Sequence, residues 1–487
     1  MMRYINKKDI KIIAYFLGKI MQGIGAIILI PIIIAIIYQE HHHLIGFIIP
    51  AIISIGLGTV LSKAIGIDTH KNKVRLKHGM MISSLAWLWA AFVGSLVMLI
   101  ILDISFLDAF FENMSAWTSS GFTIFENVEI LPKSILFLRS LEQWVGGLGV
   151  VVLIIAIFIH SGKAAARLYQ SEARDEKIKP SMFNTLKKIL QIYFIYTLIG
   201  VILFLIAGMP VFDSINNAFT TIATGGMSIK NANMGFYNNN IFYLISIFLM
   251  ILGATSFLTH YRAFKTKGIA ILKDLQFKIM ICLIIIASII IYFATTFMPM
   301  NVVYHVISAI TTTGANIDST TNITLMEPIM EVILLFLMLI GASAGSTVGA
   351  IKLSRVITSL RGIYKNILNI ISPEGRVVTV KIADKQIKEN EIQEASTYIV
   401  LYLFFIFLGW IVLVLHGYDG MNSLFEVTSA QGNVGLSTGI INGSLEYGAK
   451  IMMIFNMWIG RLEIIPVLVI LRSLIEIFKI KTSRKTY

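Results

Sequence analysis

The sequence predicts an all-α polytopic membrane protein, with two leading helices followed by four tandem units of one design. Three observations predict it. Apolar runs of bilayer-crossing length recur along the whole chain: of 487 residues 56% are hydrophobic and 14% charged, with mean hydropathy +0.80, against about 25% charged in a soluble domain. Lys and Arg collect in alternate loops between those runs. Finally, four short stretches superimpose, each a glycine preceded by small residues: Thr118-Ser119-Ser120-Gly121, Ala223-Thr224-Gly225-Gly226, Thr311-Thr312-Thr313-Gly314 and Gly432-Asn433-Val434-Gly435. The runs are continuous rather than alternating, which excludes a membrane β-barrel.

A hydrocarbon core of about 30 Å needs about 20 apolar residues. Spans are read at 11–38, 44–65, 80–102, 134–160, 190–209, 241–261, 278–297, 328–353, 395–416 and 449–474. The first run exceeds a signal-peptide core and leads straight into a second span, so it is read as retained. His41-His42-His43 is a polar connection between those two spans rather than a metal site. The basic segments 63–77, 163–188, 262–278, 352–381 and 479–485 alternate with loops holding little beyond Lys133, Lys230 and Lys450. By the positive-inside rule the basic segments are cytoplasmic, and so are both ends of this multi-pass inner-membrane chain. That placement accounts for the net charge of +13 through membrane topology and sets nucleic acid aside. The single cysteine, Cys282, excludes an intramolecular disulfide and a cysteine-based metal cluster.

The four glycine stretches all fall in outer loops. Each has a hydroxyl six residues earlier (Ser115, Thr220, Ser308, Ser429) and a second glycine downstream (Gly146, Gly253, Gly341, Gly460), after 25, 27, 27 and 25 residues. The segment before each stretch is too short to cross the bilayer but can re-enter it where it is buried in protein or faces water. The chain therefore divides into residues 1–78, two leading helices, and four helix–pore-loop–helix repeats at 79–162, 163–265, 266–371 and 372–487. Each repeat crosses an even number of times, so all four share one orientation in a parallel pseudo-fourfold arrangement rather than an inverted one.

Such a ring suits an ion path. Backbone carbonyls can replace an ion's hydration shell, and glycine permits the backbone conformations that aim them inward. Ser and Thr add hydroxyl oxygens, and hard oxygen ligands suit alkali cations. Half-helices would turn their negative C-terminal ends toward the axis. For any one stretch, small residues at a helix-packing face are a sufficient account; four copies at matching offsets are not explained that way.

Two features lie to the cytoplasmic side. Arg461 falls within an apolar run, where a charge faces a bundle interior or water path; it is read as pore-facing, against a buried ion pair. Glu463 is not its partner on one helix face, being two residues away. The run Gly341-Ala342-Ser343-Ala344-Gly345-Ser346-Thr347-Val348-Gly349-Ala350 interrupts the third repeat's second helix. It reads either as a GxxxG packing face or as an unwound segment able to obstruct a pore. Lys352 at its inner end is read as a snorkelling side chain.

These residues carry a family resemblance. The stretches Gln143-Trp144-Val145-Gly146-Gly147-Leu148-Gly149, Ala344-Gly345-Ser346-Thr347, Ser429-Ala430-Gln431-Gly432-Asn433-Val434-Gly435 and Gly460-Arg461-Leu462-Glu463 resemble the potassium transporter superfamily. That superfamily comprises bacterial Trk and Ktr membrane subunits and plant and fungal high-affinity transporters. The two leading helices resemble the Trk type, whereas the fourth stretch reads more like Ktr and plant versions. The resemblance implies potassium uptake, with Thr118–Gly121, Ala223–Gly226, Thr311–Gly314 and Gly432–Gly435 as the selectivity filter holding K⁺. It implies an intramembrane gate loop over 341–350, including Gly341, Gly345, Ser346, Thr347 and Gly349, with Lys352 and Arg461 beside it. Val348 stands where relatives often have glycine. Ser in place of Gly121 goes with sodium selectivity.

It further implies a homodimer with one pore per subunit and a cytosolic nucleotide-binding regulatory subunit of Trk type. The short cytoplasmic segments, the longest at 354–394, agree with control by a separate subunit. The expected partners are thus that subunit, a second copy and membrane lipid, with no covalent cofactor and K⁺ as transported ion. Alternatives are a Na⁺- or H⁺-coupled symporter, for which Glu112, Glu426, His305 and Glu463 are the candidate relay groups, or a poorly selective K⁺/Na⁺ channel. An enzyme is not expected, since the chain shows no HExxH, no Ser/His/Asp grouping and no nucleotide-binding loop.

Overall fold

The computed structural model describes residues 6–64, 74–149, 182–317, 327–373, 376, 378–382 and 385–483. The distal part of the span expected to reach residue 160, and the basic residues 163–181, lie outside the described residues. The first span is two pieces, α1 (Lys7–Ile28) and α2 (Pro31–Ile37). Pro31 sits at the first helical position, where its missing N–H is no loss. The three histidines form a single turn leading to α3 (Leu44–Ala64). α1 and α3 touch backbone to backbone: a Cβ on Gly18 would lie 2.6 Å from Gly58 O, and one on Gly58 2.5 Å from Gly18 O.

Four units then repeat one order. Unit one is α4 (Leu76–Ile101), α5 (Phe106–Trp117) and α6 (Lys133–Leu148). Unit two is α7 (Met182–Ile206), α8 (Val211–Ile222) and α9 (Asn240–Ala254), with α10 (Phe257–Lys265) and α11 (Ile269–Lys273) after it. Unit three is α12 (Leu275–Ala294), α13 (Pro299–Ile310), α14 (Pro328–Ile340) and α15 (Leu353–Ile371). A two-stranded hairpin, Lys381–Ile382 with Lys385–Gln386, leads to unit four: α16 (Glu389–Leu415), α17 (Gly420–Gly432), α18 (Tyr447–Arg461) and α19 (Ile465–Ser483). The half-helices α5, α8, α13 and α17 have 12, 12, 12 and 13 residues. At 1.5 Å per residue that is about 18 Å, half a bilayer.

Among the described residues six helices are long and apolar enough to cross a membrane, or eight if two bent pairs count as spans. The bent pairs correct two expected spans. Those read as continuous at 241–261 and 449–474 break after Ala254 and Arg461, and the pieces meet at 100° and 114°. The second helix of unit three also breaks, at Gly341, as its composition suggested. The break after Ala254 has a hydrogen-bonding cause. The carbonyls of Gly253 and Ala254, orphaned at the helix end, accept from Thr347 N (3.2 Å) and Ser343 N (3.2 Å), and Phe257 N donates to Gly345 O (3.0 Å). The second break turns on Glu463 and Ile464, both left-handed at φ 59° and 63°.

One tie from the leading helices sets the position of unit one. Glu40, in the turn after α2, caps α6 across the fold. It accepts from the N–H of Lys133 (2.7 Å) and Ser134 (3.1 Å) and from the Ser134 hydroxyl (2.5 Å). Burial alone would raise the Glu40 carboxyl, but these hydrogen bonds outweigh it and hold it below the usual carboxylate range. The stabilisation is therefore full above the ordinary Glu value and is lost as pH falls through the lowered one. Glu40→Ala is expected to cost about 1 kcal/mol, as for other N-cap losses. Thermal unfolding in detergent should show this at neutral pH, with the gap to wild type closing in acid.

Candidate functional site

The four glycines meet. Gly121, Gly226, Gly314 and Gly435 line one outward-opening cavity of about 290 Å³, and their contacts close into a cycle. A Cβ on Gly121 would lie 2.4 Å from Gly225 O, one on Gly226 2.0 Å from Thr313 O, one on Gly314 1.9 Å from Val434 O, and one on Gly435 2.3 Å from Ser120 O. Each unit thus lays the carbonyl that precedes its own glycine against the glycine of the unit before it, with unit one closing the cycle on unit four, in one rotational sense. Any side chain there would strike a neighbour's backbone.

The backbone reaches this arrangement the same way four times. The glycines have φ of 83°, 69°, 75° and 98°, and the residues two before them, Ser119, Thr224, Thr312 and Asn433, have φ of 56°, 50°, 51° and 52°. The residues between are not left-handed, so the sign of φ alternates. In an ordinary strand, successive residues face opposite sides; alternating hand instead brings successive carbonyls toward one side. Each half-helix feeds its strand through an equivalent bond. Ser120 N donates to Ser115 O (2.9 Å), Gly225 N to Thr220 O (2.9 Å), Thr313 N to Ser308 O (2.8 Å) and Val434 N to Ser429 O (2.9 Å).

The hydroxyls expected to add ligand oxygens donate mostly into the protein. Ser115 and Ser308 donate to Phe122 O and Ala315 O, both at 2.7 Å, pinning the chain just beyond the glycine. Ser429 accepts from Gly435 N at 3.0 Å, whereas Thr220 only reaches Asn217 O at 3.4 Å. Thr118 and Thr311 donate back to Met114 O (2.6 Å) and Ile307 O (2.7 Å). That leaves the backbone carbonyls of the four strands, rather than these hydroxyls, as the oxygens able to replace a cation's hydration shell. The four half-helix C-termini end behind them with their negative dipole ends.

Side chains brace the ring in roles the sequence reading did not give them. Gln143 Nε2 donates to Gly225 O (2.6 Å) while its Oε1 accepts from Met227 N (3.0 Å), bracketing Gly226 from unit one. Asn433 Nδ2 donates to Ser120 Oγ (2.9 Å) and Met457 O (2.9 Å), joining units four and one. Glu112 and Glu426, each nine residues before a ring glycine, hold the outgoing strands. Glu112 accepts from Thr123 Oγ1 (3.0 Å), Ile124 N (3.0 Å) and Arg139 Nε (2.8 Å); Glu426 accepts from Ser437 Oγ (2.7 Å) and Thr438 N (2.8 Å). Arg139 continues to Ser228 O at 3.1 Å. The matched ninth position was the signal that could have grouped the two glutamates.

Beneath the ring lies the loop 341–352. Gly341, with φ 69°, ends α14, and the chain returns on itself: Ile351 N donates to Leu339 O (3.2 Å) and Lys352 N to Ile340 O (2.9 Å). Gly345 and Ser346 shape the interior, Ser346 Oγ donating to Ser343 O at 2.6 Å. The loop touches three strands from below. Thr347 Oγ1 meets Thr224 Oγ1 at 3.1 Å, Gly349 N donates to Thr312 Oγ1 at 3.2 Å, and a Cβ on Gly349 would lie 2.2 Å from Gly432 O. Arg461 joins the loop to unit one, donating to Thr347 O (2.9 Å), Gly146 O (2.5 Å) and Gly147 O (2.8 Å). A second, small pocket of about 30 Å³ lies here between Arg461, Val348 and Lys352.

Lys352 corrects the sequence reading. It does not snorkel: it is 9% exposed, left-handed at φ 75°, and its ammonium donates to Glu463 at 2.5 Å. Arg355 binds the other oxygen of Glu463. Glu463 therefore closes an ion-paired latch between units three and four. Arg461, two residues earlier, donates to the carbonyls of Thr347, Gly146 and Gly147.

Met250, Met338 and Met457 stand where units two, three and four match Gln143. Gln143→Met is expected to leave Gly225 O and Met227 N short of a partner. A buried unpaired group costs about 1–3 kcal/mol, so unfolding in detergent should occur at lower temperature while the helix content is kept.

The comparisons follow this geometry. The family model described as cation transport protein, TrkH, matches residues 47–322 and 318–480. An uncharacterized cation transporter of Methanocaldococcus jannaschii is 38% identical, over 96% of this chain and 97% of its own. The Trk system potassium uptake protein TrkH of Vibrio parahaemolyticus is 30% identical, over 82% of this chain and 86% of its own. The crystal structure of the potassium transporter TrkH from Vibrio parahaemolyticus superimposes with a TM-score of 0.83 at 26% identity, covering 95% of this chain and 98% of that one. An all-α, multi-pass membrane chain with four such units belongs to the TrkH family of cation transport proteins.

Proposed function

We propose that this chain takes up potassium through the axis of the glycine ring, with residues 118–121, 223–226, 311–314 and 432–435 as the selectivity filter. The observation that carries this is the closed cycle of carbonyl against glycine, 1.9–2.4 Å from any added Cβ, which makes four separate loops one ring of fixed size. The potassium uptake named for the Vibrio parahaemolyticus relative supports K⁺ as cargo. The loop 341–350 and Arg461 form the gate, because the loop touches three filter strands from below and Arg461 ties it to unit one. The working assembly is a homodimer in the cell membrane with both termini cytoplasmic, controlled by a cytosolic nucleotide-binding subunit of Trk type.

Glu112 and Glu426 hold the outgoing strands, which supports a structural role for both, and Glu463 pairs with Lys352 and Arg355. We read the flow as uncoupled, so the reversal potential of current in planar bilayers should track the K⁺ gradient alone. A reversal that moves with the pH or Na⁺ gradient would replace this reading by symport.

Growth rescue at limiting K⁺, in a strain lacking its own uptake systems, tests the function as a whole. Gly121→Ser, placing a side chain against Gly225 O on a left-handed residue, is expected to lower K⁺ preference over Na⁺ about tenfold or more, roughly 1.4 kcal/mol of discrimination. An unchanged preference would remove Gly121 from the filter. Arg461→Gln removes a cation from a cation path and unties the loop from Gly146 and Gly147. Its expected effect is a several-fold higher K⁺ flux in proteoliposomes.

A further inference from the structure

Behind the ring, unit one holds a polar cluster with no part in the contacts above. Glu142 lies on α6 four residues before Gly146, and Trp117 lies four residues before Gly121. The matching pairs are Leu249 with Ile222 in unit two, Leu337 with Ile310 in unit three, and Asn456 with Gln431 in unit four. In unit four the hydrogens join the two side chains: Asn456 Nδ2 donates to Gln431 Oε1 (2.9 Å), and Gln431 Nε2 donates to Tyr402 O (2.7 Å), which leaves only Asn456 Oδ1 of the pair without a partner.

In unit one they fall short. Asn113 and Glu142 are both fully buried. Asn113 Nδ2 donates to Ala109 O at 2.7 Å; the flipped amide would set two acceptors against each other there, so Oδ1 must point the other way. It and Glu142 Oε1 converge on Gly94, where a Cβ would lie 2.1 Å and 2.6 Å from them. Neither Asn113 Oδ1 nor either Glu142 oxygen has an ordinary hydrogen-bond partner, and Trp117 Nε1, the indole donor on the carboxyl's side, is likewise without one. The charged groups nearest it are Glu112 on α5 and Arg139 on α6, and those two pair with each other at 2.8 Å. Three buried acceptor oxygens and one N–H leave a hydrogen missing, and unpaired acceptors at this depth cost several kcal/mol.

We propose that Glu142 is a proton-binding site. It stands as the carboxylic acid, donates its O–H to Asn113 Oδ1 and accepts from Trp117 Nε1–H, a neutral counterpart of the Asn456–Gln431 amide pair. This deepens the pathway reading and rests on it for its meaning. Glu142 adjoins Gln143, whose amide brackets Gly226, so the bound proton keeps a fixed negative charge from standing behind one quarter of the ring.

The test is infrared spectroscopy of the full chain in detergent at neutral pH. Wild type minus Glu142→Gln is expected to show loss of a protonated-acid C=O band. Loss of a carboxylate band instead overturns the proposal. Should Glu142→Gln fail to fold, wild type minus Asn113→Ala is expected to show the acid band shifted, because the acid has lost its acceptor; an absent or unmoved band likewise overturns it. K⁺ flux measured on the same preparations separates the two readings: a band without K⁺ flux leaves the proton site standing and removes the potassium pathway.

Discussion

The contact on which the fold depends is the approach of one carbonyl to the α-carbon of a neighbouring unit's glycine. It is too close for any Cβ and it recurs around the axis. Much of the chain can be understood as delivering four strands to that distance. The half-helices end at equal depth, each hands its strand on through the same backbone bond, and the second helices press against the half-helix ends. A Cβ on Gly146, Gly253 or Gly460 would lie 1.8, 2.6 or 2.0 Å from the carbonyl of Trp117, Ile222 or Gln431. Ring and scaffold are thus built from one device, glycine placed where two backbones must touch.

Departures from the fourfold pattern are where control can enter. Unit three uses its second glycine to stop a helix, and its freed chain docks on the broken end of α9 through Gly253 and Ala254. Unit four contributes Arg461, which reaches across to Gly146 and Gly147, and Glu463, which binds Lys352 and Arg355. The loop is therefore held from three sides by backbone bonds and from below by an ion-paired latch. Left-handed Ile464, unfavourable for a β-branched residue, is held at the same corner. A shift of α15 or α19 would act on this corner first, so motion of those two helices is mechanically connected to the loop under the glycine ring.

Much of this was legible in the residues, and the remainder shows what sequence patterning leaves out. Hydropathy placed the long apolar helices α1 with α2, α3, α4, α7, α12 and α16, because bilayer thickness acts on composition directly. The repeat offsets matched the ring, because a left-handed backbone position selects glycine at Gly121, Gly226, Gly314 and Gly435. The breaks after Ala254 and Arg461 were not read: the partners at the first, Ser343, Gly345 and Thr347, lie far along the chain, and the second turns on left-handed Glu463 and Ile464, residue types that carry no mark of that conformation. Lys352 and Glu463 are 111 residues apart, so their pairing left no local spacing to read. Gln143 sat inside a motif already noted for its glycines, and its side chain mattered more to the ring than its neighbours suggested.

One chain carrying all four units has a consequence for inheritance. A ring assembled from four copies of a shorter polypeptide must repeat every substitution fourfold, so a single guanidinium or a single carboxyl beside its axis would be out of reach. Here Arg461, Gln143 and Glu142 each occur in one unit while the matching positions elsewhere hold other residues. Variation can therefore act on one quadrant at a time, adjusting barrier height or ring width in graded steps while the remaining three quadrants keep the hole open.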